Sequence, residues 1–445
     1  MSGILPRQKK AGCYRLDTRA RSIIGFVFIV SGIAMPAQQS PGPFRQPECG
    51  VRRWTNPRPI SNDTPQRVAR FPGVSSRHGR IYVVGNDIPF FDASKVRSRP
   101  LTIWDMQNGV RLVDPPPGAF TFRFPKAVVN SKGRLYLFWG ETSNPGLVEA
   151  FRWQTIPITS IWWATYDRES GWSKPEQVIA GSLLDWSSVT SAEALVGEDG
   201  DIAFALPGSS RQTRTLFRTT ADRWHLTPIP AGGAYAHLAG KGEHLFFAYV
   251  DAAVGSRQSD VNSVFMIRSD NGGVTWKPPI LVSRSGLLGA YELHLVSMRD
   301  GSLHLVWVQD NGNGSSVIRH VSSSNGGTRW SPPQDLPIIA APGGASLAVS
   351  SDQCSGIHVL YQDSQMGPED MRLGYAYWRS RWIGPNRLFP KYRVGGDAAF
   401  NRITDNRILV VFLAQKAGSE PKSAAWMLYS QGLSGNDGGL THARQ

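Results

Sequence analysis

The chain is predicted to be all-β and to fold as a seven-bladed β-propeller, and three observations lead there. The first is composition: 445 residues carry Gly 46, Pro 31 and Trp 15, without long heptads or helical periodicities. Short apolar runs alternate instead with Gly, Asn, Asp and Ser, the texture of strands and turns. The second is a run that recurs seven times: Ile81-Tyr-Val-Val84, Leu135-Tyr-Leu-Phe138, Ile202-Ala-Phe-Ala205, Leu245-Phe-Phe-Ala248, Leu303-His-Leu-Val306, Ile357-His-Val-Leu360 and Ile408-Leu-Val-Val411. Each follows a turn such as Lys132-Gly-Arg134 or Asp300-Gly-Ser302, and the spacing of roughly 40 to 70 residues suits a four-stranded blade. The third is Trp-x-x-Pro at Trp172/Pro175, Trp276/Pro279, Trp330/Pro333 and Trp382/Pro385, with Trp224/Pro228 a looser copy. Proline is tolerated on a blade's outermost strand, which has one unpaired edge.

The seventh unit runs out after Ala424-Ala-Trp-Met-Leu-Tyr429 and lacks an outer strand. Its missing piece is at the other end, where Trp54-Thr-Asn-Pro57 and Arg58-Pro-Ile60 fit the same signature. The expected layout is therefore a signal peptide over 1–37, a linker arm over 38–53, a propeller over 54–433 and a polar tail over 434–445. The arm closes the ring by completing the last blade.

Residues Arg7, Lys9, Lys10, Arg15, Arg19 and Arg21 precede an apolar run from Ile23 to Met35, then Pro36-Ala37. This is the layout of a secretory signal cleaved after Ala37, with an uncleaved signal anchor as the alternative. The run is short of the ~20 residues of a membrane span. A secreted or periplasmic protein with no span after cleavage is expected. The formal charge of +14 is spread along the chain, which suits an anionic envelope or polyanionic glycans. Export and the lack of a recognised module argue against nucleic acid. Cys13 lies in the signal; Cys49 and Cys354 remain, on the same face of neighbouring blades, and export permits a disulfide between them.

The clearest stretch is Ser269-Asp-Asn-Gly-Gly-Val-Thr-Trp276, repeated as Ser323-Ser-Asn-Gly-Gly-Thr-Arg-Trp330. Asn271 and Asn325 can bond backbone amides ahead of them, and the paired glycines can take the positive φ of a tight reversal. Trp276 is expected to start the next strand. The pattern resembles the Asp-box repeat of sialidase-like β-propellers, with Asn at the position usually held by Asp. On that resemblance Ser269, Asn271, Gly273 and Trp276, with Ser323, Asn325, Gly327 and Trp330, form the structural set. The resemblance implies a glycan-directed protein, either a glycoside hydrolase of the exo-acting sialidase type or a relative that binds without catalysis. It also makes six blades the alternative architecture. From a different class, a non-catalytic protein-interaction or lectin-like scaffold of the cell envelope is the second reading.

Counting strands A to D outward from the channel, these turns join C to D and share a face with the A–B turns. The B–C and D–A loops form the opposite face, where a site is expected. Asp87, Glu141, Asp251, Asp310 and Asp363 each follow the apolar run of strand B, a pattern that would set a ring of carboxylates there. Such a ring can share protons, hold a cation or act as general acid and base. Arg70, Arg123, Tyr235, His237, Tyr291 and His294 lie at the start of strand A. Phe122-Arg-Phe-Pro125 resembles the sialidase strand-A motif whose arginine grips a substrate carboxylate, although Arg70-Phe-Pro72 repeats it one blade earlier. The candidate catalytic residues are thus Arg123, Glu141 and Asp87, and the candidate substrate-binding residues are Arg70, Asp251, Asp310, Asp363, Tyr291 and His237. Tyr429 falls on the turn face, the wrong end for a nucleophile. Trp153, Trp162, Trp163 and Trp186 are candidates for stacking on sugar rings. His304 and His358 take equivalent places in strand B and read as structural. With no HExxH, CxxC or P-loop, no metal and no cofactor is expected.

Overall fold

The computed structural model describes residues 50–51, 53–60, 68–77, 80–88, 101–106, 110–118, 120, 122–141, 158–184, 194–196, 202–207, 214–220, 223–231, 234–251, 263–284, 289–310, 316–338, 347–352, 354–363, 371–404, 407–416 and 426–433. The expected signal peptide, most of the linker arm with Cys49, and the polar tail lie outside them.

The described residues form strands, turns and bends with no helix, gathered into seven antiparallel sheets. Strands A to D of blade 1 are Val68–Arg77, Arg80–Ile88, Leu101–Asp105 and Arg111–Val113. Blade 2 is Arg123–Val129, Leu135–Glu141 and Ile158–Asp167, edged by Gly171–Trp172 and Glu176–Leu184. Blade 3 is Ala194–Val196, Ile202–Pro207, Arg214–Thr220 and Arg223–Ile229; blade 4 is Ala234–Lys241, His244–Asp251, Ser263–Ser269 and Ile280–Ser283. Blade 5 is Ala290–Ser297, Leu303–Asp310, Ser316–Ser323 and Gln334–Ile338; blade 6 is Leu347–Ser351, Ile357–Asp363, Arg372–Arg379 and Arg381–Leu388. Blade 7 takes Tyr392–Thr404, Arg407–Lys416 and Trp426–Leu433 from the end of the chain. Each A strand adjoins the A strands of the blades before and after it, and that of blade 7 adjoins that of blade 1, so the ring closes.

The recurrent apolar runs are the B strands. Each B strand is covered by a blade on either side, so both of its faces are apolar. In Leu135–Glu141 every residue but the last is buried. The cores lie between blades. Phe138 of blade 2 stacks on Phe204 of blade 3 at 4.2 Å, and Leu305 and Trp307 of blade 5 meet Ala248 and Val250 of blade 4. Full burial of such side chains contributes about 1.5–3 kcal/mol each. Trp162 and Trp163 belong to this packing: both sit in strand C of blade 2, and Trp163 lies 5.9 Å from Tyr136 in a stacked pair. Trp153 and Trp186 lie outside the described residues.

The closing strand is in place. Arg53 and Trp54 pair with Leu433 and Gly432, and Arg58 and Pro59 with Tyr429 and Leu428. The two pieces flank Thr55, whose N–H donates to the Gln431 carbonyl at 2.9 Å, while Ser430 Oγ donates to the Thr55 carbonyl at 2.6 Å. The Trp54 ring stands edge-on to Tyr375 of blade 6 at 5.4 Å and to Phe389 at 6.2 Å. Tyr429 packs with Ile60, Val83 and Trp104 at the seam between blades 7 and 1.

A second tie lies at the A–B turn of blade 6. Asp352 accepts hydrogen bonds from the amides of Cys354 at 2.9 Å and Gly356 at 2.7 Å, from Tyr377 Oη at 2.9 Å and from Gly50 N–H at 3.3 Å. Burial alone would raise its pKa, but His358, the Gly356 amide and Tyr377 outweigh this and hold the carboxyl well below the usual range. Cys354 is disulfide-bonded; its partner lies outside the described residues.

The repeated turns act between blades as well as within them. Ser269 Oγ accepts from Gly273 N–H at 2.8 Å and donates to Asn271 Oδ1 at 2.9 Å, and Asn271 Oδ1 also accepts from Thr275 N–H at 2.9 Å. Ser323, Asn325 and Gly327 repeat the pattern. Arg218 of blade 3 donates to the Gly272 carbonyl, and Arg268 of blade 4 to that of Gly326. Gly273 and Gly327 have φ of +88° and +79°, and a Cβ on Gly327 would fall 2.1 Å from Met266 Cε in blade 4. Trp276 and Trp330 do not start strand D; the ladder resumes at Ile280 and Gln334, after the prolines that follow each Trp.

Candidate functional site

Strand A of five blades begins with a bulge. The ladder shifts between Arg70 and Gly73, Arg123 and Lys126, Ala234 and His237, Tyr291 and His294, and Val394 and Ala398. A bulge bends the strand and re-aims its side chains, and bulges gather near functional sites. In blades 4 and 5 the first bulged residues, Tyr235 and Glu292, have φ of 49° and 52°. A non-glycine residue held there is strained by about 1–3 kcal/mol. Equivalent strain in adjacent blades places a cluster at the channel mouth.

Tyr235 and Tyr291 lie with ring centroids 6.4 Å apart. Burial raises the pKa of both phenols, and the Glu292 charge raises both further. The Asp310 charge adds to this at Tyr291, whose hydroxyl bonds Ser316 Oγ at 3.1 Å. One turn of the pleat further in, His237 and His294 occupy matching register positions with rings 5.0 Å apart, and His294 Nε2 lies 2.8 Å from the Leu347 carbonyl of blade 6. Burial, and then the Lys126 ammonium of blade 2, lower His237 to about 3. That imidazole is neutral at physiological pH. The cluster thus combines a carboxylate, two protonated phenols and neutral imidazole. Such groups can bind saccharide hydroxyls, move protons or present an oxygen nucleophile.

The sequence candidates divide around this cluster. Tyr291 and His237 are in it. Glu292, whose charge acts on both phenols, was not among the candidates; it stands in the bulge between Tyr291 and His294. Arg70, Asp87 and Arg123 lie on the strands expected, and their side chains fall outside the described residues. Glu141 Oε1 accepts the Phe122 N–H at 2.9 Å, and Asp363, 4% exposed, is ion-paired to Arg387 at 2.7 Å. Asp251 ends strand B of blade 4 beside Tyr249. Asp310 is one residue out of step: counted from Leu245↔Ser269 and Leu303↔Ser323, the counterpart of Asp251 is Gln309. The acids of strand B therefore do not form a uniform ring: two are engaged within their own blades, and one is displaced by a residue. Among the described residues, no group of three His, Cys, Asp or Glu could hold a metal ion, and no helix is long and apolar enough to cross a membrane. His304 and His358 are buried at equivalent places inside strand B, 5% and 1% exposed.

This is a seven-bladed all-β propeller with a polar cluster at one mouth of its channel, and solved structures share the fold. A polysaccharide lyase described as an ulvan lyase, bound to a glucuronate–sulfated rhamnose unit, matches with a TM-score of 0.51 at 13% identity, over 81% of this chain and 92% of its own. A second polysaccharide lyase matches with a TM-score of 0.50 at 11% identity, over 81% of this chain and 89% of its own. A sialidase of Streptococcus pneumoniae covers 87% of this chain and 71% of its own, at 12% identity and a TM-score of 0.43. The likeness of fold rests on the two lyases. No family model matches the chain, and no curated protein matches its sequence.

Proposed function

We propose that this protein is an exported, glycan-active propeller of the sialidase-like, Asp-box type, whose reacting centre is the channel mouth between blades 4 and 5. The observation that carries the reading is the meeting of Glu292 with Tyr235 and Tyr291 on a doubly bulged rim. The resemblance to sialidases calls for a tyrosine paired with a glutamate, and here the charge of Glu292 bears on two tyrosines. In this reading Glu292 takes the proton of one phenol as that oxygen attacks the anomeric carbon; the glycosidic C–O bond breaks, and the aglycone leaves and takes a proton from solvent. Water then cleaves the glycosyl–tyrosine bond, the phenol recovering its own proton and the water's proton passing to Glu292 and on to solvent, while His237 and His294 bind sugar hydroxyls. Arg70 and Arg123, on strand A of blades 1 and 2, are the candidates to meet a substrate carboxylate. The turns at Ser269–Trp276 and Ser323–Trp330 then serve as blade clamps, remote from the chemistry.

The test is a panel of aryl glycosides and sialosides offered to the secreted protein. Hydrolysis that is lost by at least 100-fold in Glu292→Gln and in the tyrosine that acts, Tyr235→Phe or Tyr291→Phe, supports the reading; that is the order of magnitude for removing an acid–base group. Silence on the panel with retained glycan-array binding favours a lectin-like relative. Silence in both favours the scaffold. Amino-terminal sequencing of secreted material that begins at Gln38 supports export with cleavage after Ala37.

A further inference from the structure

In blades 2 and 5 one side chain near the end of strand B reaches the segment that leads into strand A. Register identifies the position. Val84, Phe138, Ala248 and Val306 face Gly73, Lys126, His237 and His294 across the A–B ladder. Three residues on stand Asp87, Glu141, Asp251 and Gln309. Counting from the equivalent His304 and His358 puts Asp363 there in blade 6. Four blades carry an acid at this place and blade 5 carries an amide.

In blade 2 the acid is an acceptor, taking the Phe122 N–H at 2.9 Å at the foot of strand A. In blade 5 the group to be held is a carbonyl instead. Gln309 is 5% exposed, and its Nε2 donates to the Gly289 carbonyl at 2.9 Å and to the Asp310 carbonyl at 3.3 Å. Its Oε1 accepts from Trp307 Nε1 at 3.3 Å, which fixes which end of the amide is which. Asp310 N–H donates to the same Gly289 carbonyl at 3.3 Å. Gly289 has φ of 84° and stands directly before Ala290, Tyr291 and Glu292. A carboxylate here would face two carbonyl oxygens and offer no proton.

We propose that Gln309 is the positioning residue of the channel mouth: its buried amide clamps the Gly289 carbonyl and so holds the bulge that presents Tyr291 and Glu292. Its effect on turnover rests on the function proposed above, whereas its effect on the bulge does not. The test uses the full secreted chain and its Gln309→Glu and Gln309→Leu variants, with hydrogen exchange read on a peptide spanning Gly289 to Ser297. Rates are compared with wild type at each pH.

In Gln309→Glu that peptide should exchange roughly tenfold faster at about pH 8, the effect of losing one hydrogen bond to a buried acceptor. At about pH 5 the protonated carboxyl again offers a donor, so the rate should return toward wild type. Gln309→Leu should stay fast at both. The peptide spanning Arg123 to Val129 should be unchanged in all. Wild-type exchange in Gln309→Glu at the higher pH overturns the proposal, as does acceleration that acid fails to reverse or that spreads through every blade. A glycan panel on which the wild type is silent counts against the proposed function alone; the exchange data still decide this one. Where turnover is seen, Gln309→Glu should lower kcat more than it changes KM and should regain activity on acidification, while Gln309→Leu should not.

Discussion

The seam between blades 5 and 6 should fail in acid, and the size of the failure can be worked out. His304 Nδ1 and His320 Nε2 lie 2.9 Å apart, and the His320 ring packs 4.1 Å from Trp378 of blade 6 and 6.2 Å from Trp382. His304 Nε2 lies 3.0 Å from Ser302 Oγ, which bonds Asp300 at the surface. Burial lowers His304 to about 4, against a partly opposing pull from Asp300, and burial and then His304 lower His320 to about 3. Their unfolded value is near 6.5. Folded values below the unfolded one mean that the unfolded chain binds the extra protons. Stability is therefore full above about pH 7, is lost as pH falls through 6.5, and levels off only below the folded values. At about pH 5 each imidazole contributes a loss of about 2 kcal/mol, or about 4 kcal/mol for the pair. Urea denaturation at pH 7 and pH 5 measures it, with the double variant His304→Gln, His320→Gln as reference. The variant keeps polar groups in the seam but cannot titrate, and the carboxylates common to both proteins cancel. Wild type should lose about 4 kcal/mol more than the variant over that interval. Equal losses would refute the reasoning.

Other perturbations have equally definite outcomes. Gly327→Ala should cost about 2–4 kcal/mol in thermal melts, because it adds a collision with Met266 to the cost of a positive φ. Gly301→Ala, at φ +83° but with nothing near its Cβ, should cost only about 1 kcal/mol. Trp54→Ala should cost about 3–5 kcal/mol and expose the arm to limited proteolysis; a melt unchanged from wild type would remove the arm from the stability of the ring. Reduction should cost about 2–4 kcal/mol of stability through loss of the Cys354 disulfide, read as a lower melting temperature. Non-reducing peptide mapping should join Cys354 to Cys49, whose neighbour Gly50 is bonded to Asp352; a Cys354 peptide joined to anything else would reject that pairing.

The architecture was legible because each blade repeats its own punctuation. A fully covered B strand must be a continuous apolar run, so seven such runs report seven blades. The Trp-x-x-Pro signature at Trp54 reported the closing strand for the same reason, since an edge strand tolerates proline wherever in the chain it arises. The mouth was harder to read. Tyr291 and His237 could be placed at the start of strand A, but Glu292 sits in a two-residue bulge that the local sequence does not announce. Register misleads as well: Asp310 looks like the counterpart of Asp251 until residues are counted from Leu245 and Leu303, when Gln309 takes its place. Glu141 and Asp363 show a further limit, because an acid at a strand end looks the same whether it faces a ligand or its own backbone.

The pairing of Arg53–Pro59 with Trp426–Leu433 also orders events in time. The arm must stay uncommitted until more than three hundred further residues have been added, since the strand it pairs with among the described residues is Trp426–Leu433. Until then six sheets have neighbours to lean on while the seventh has a bare flank. Closure of the ring thus waits on the strand at Trp426–Leu433, and a chain halted short of Trp426 would lack the strand on which the arm docks.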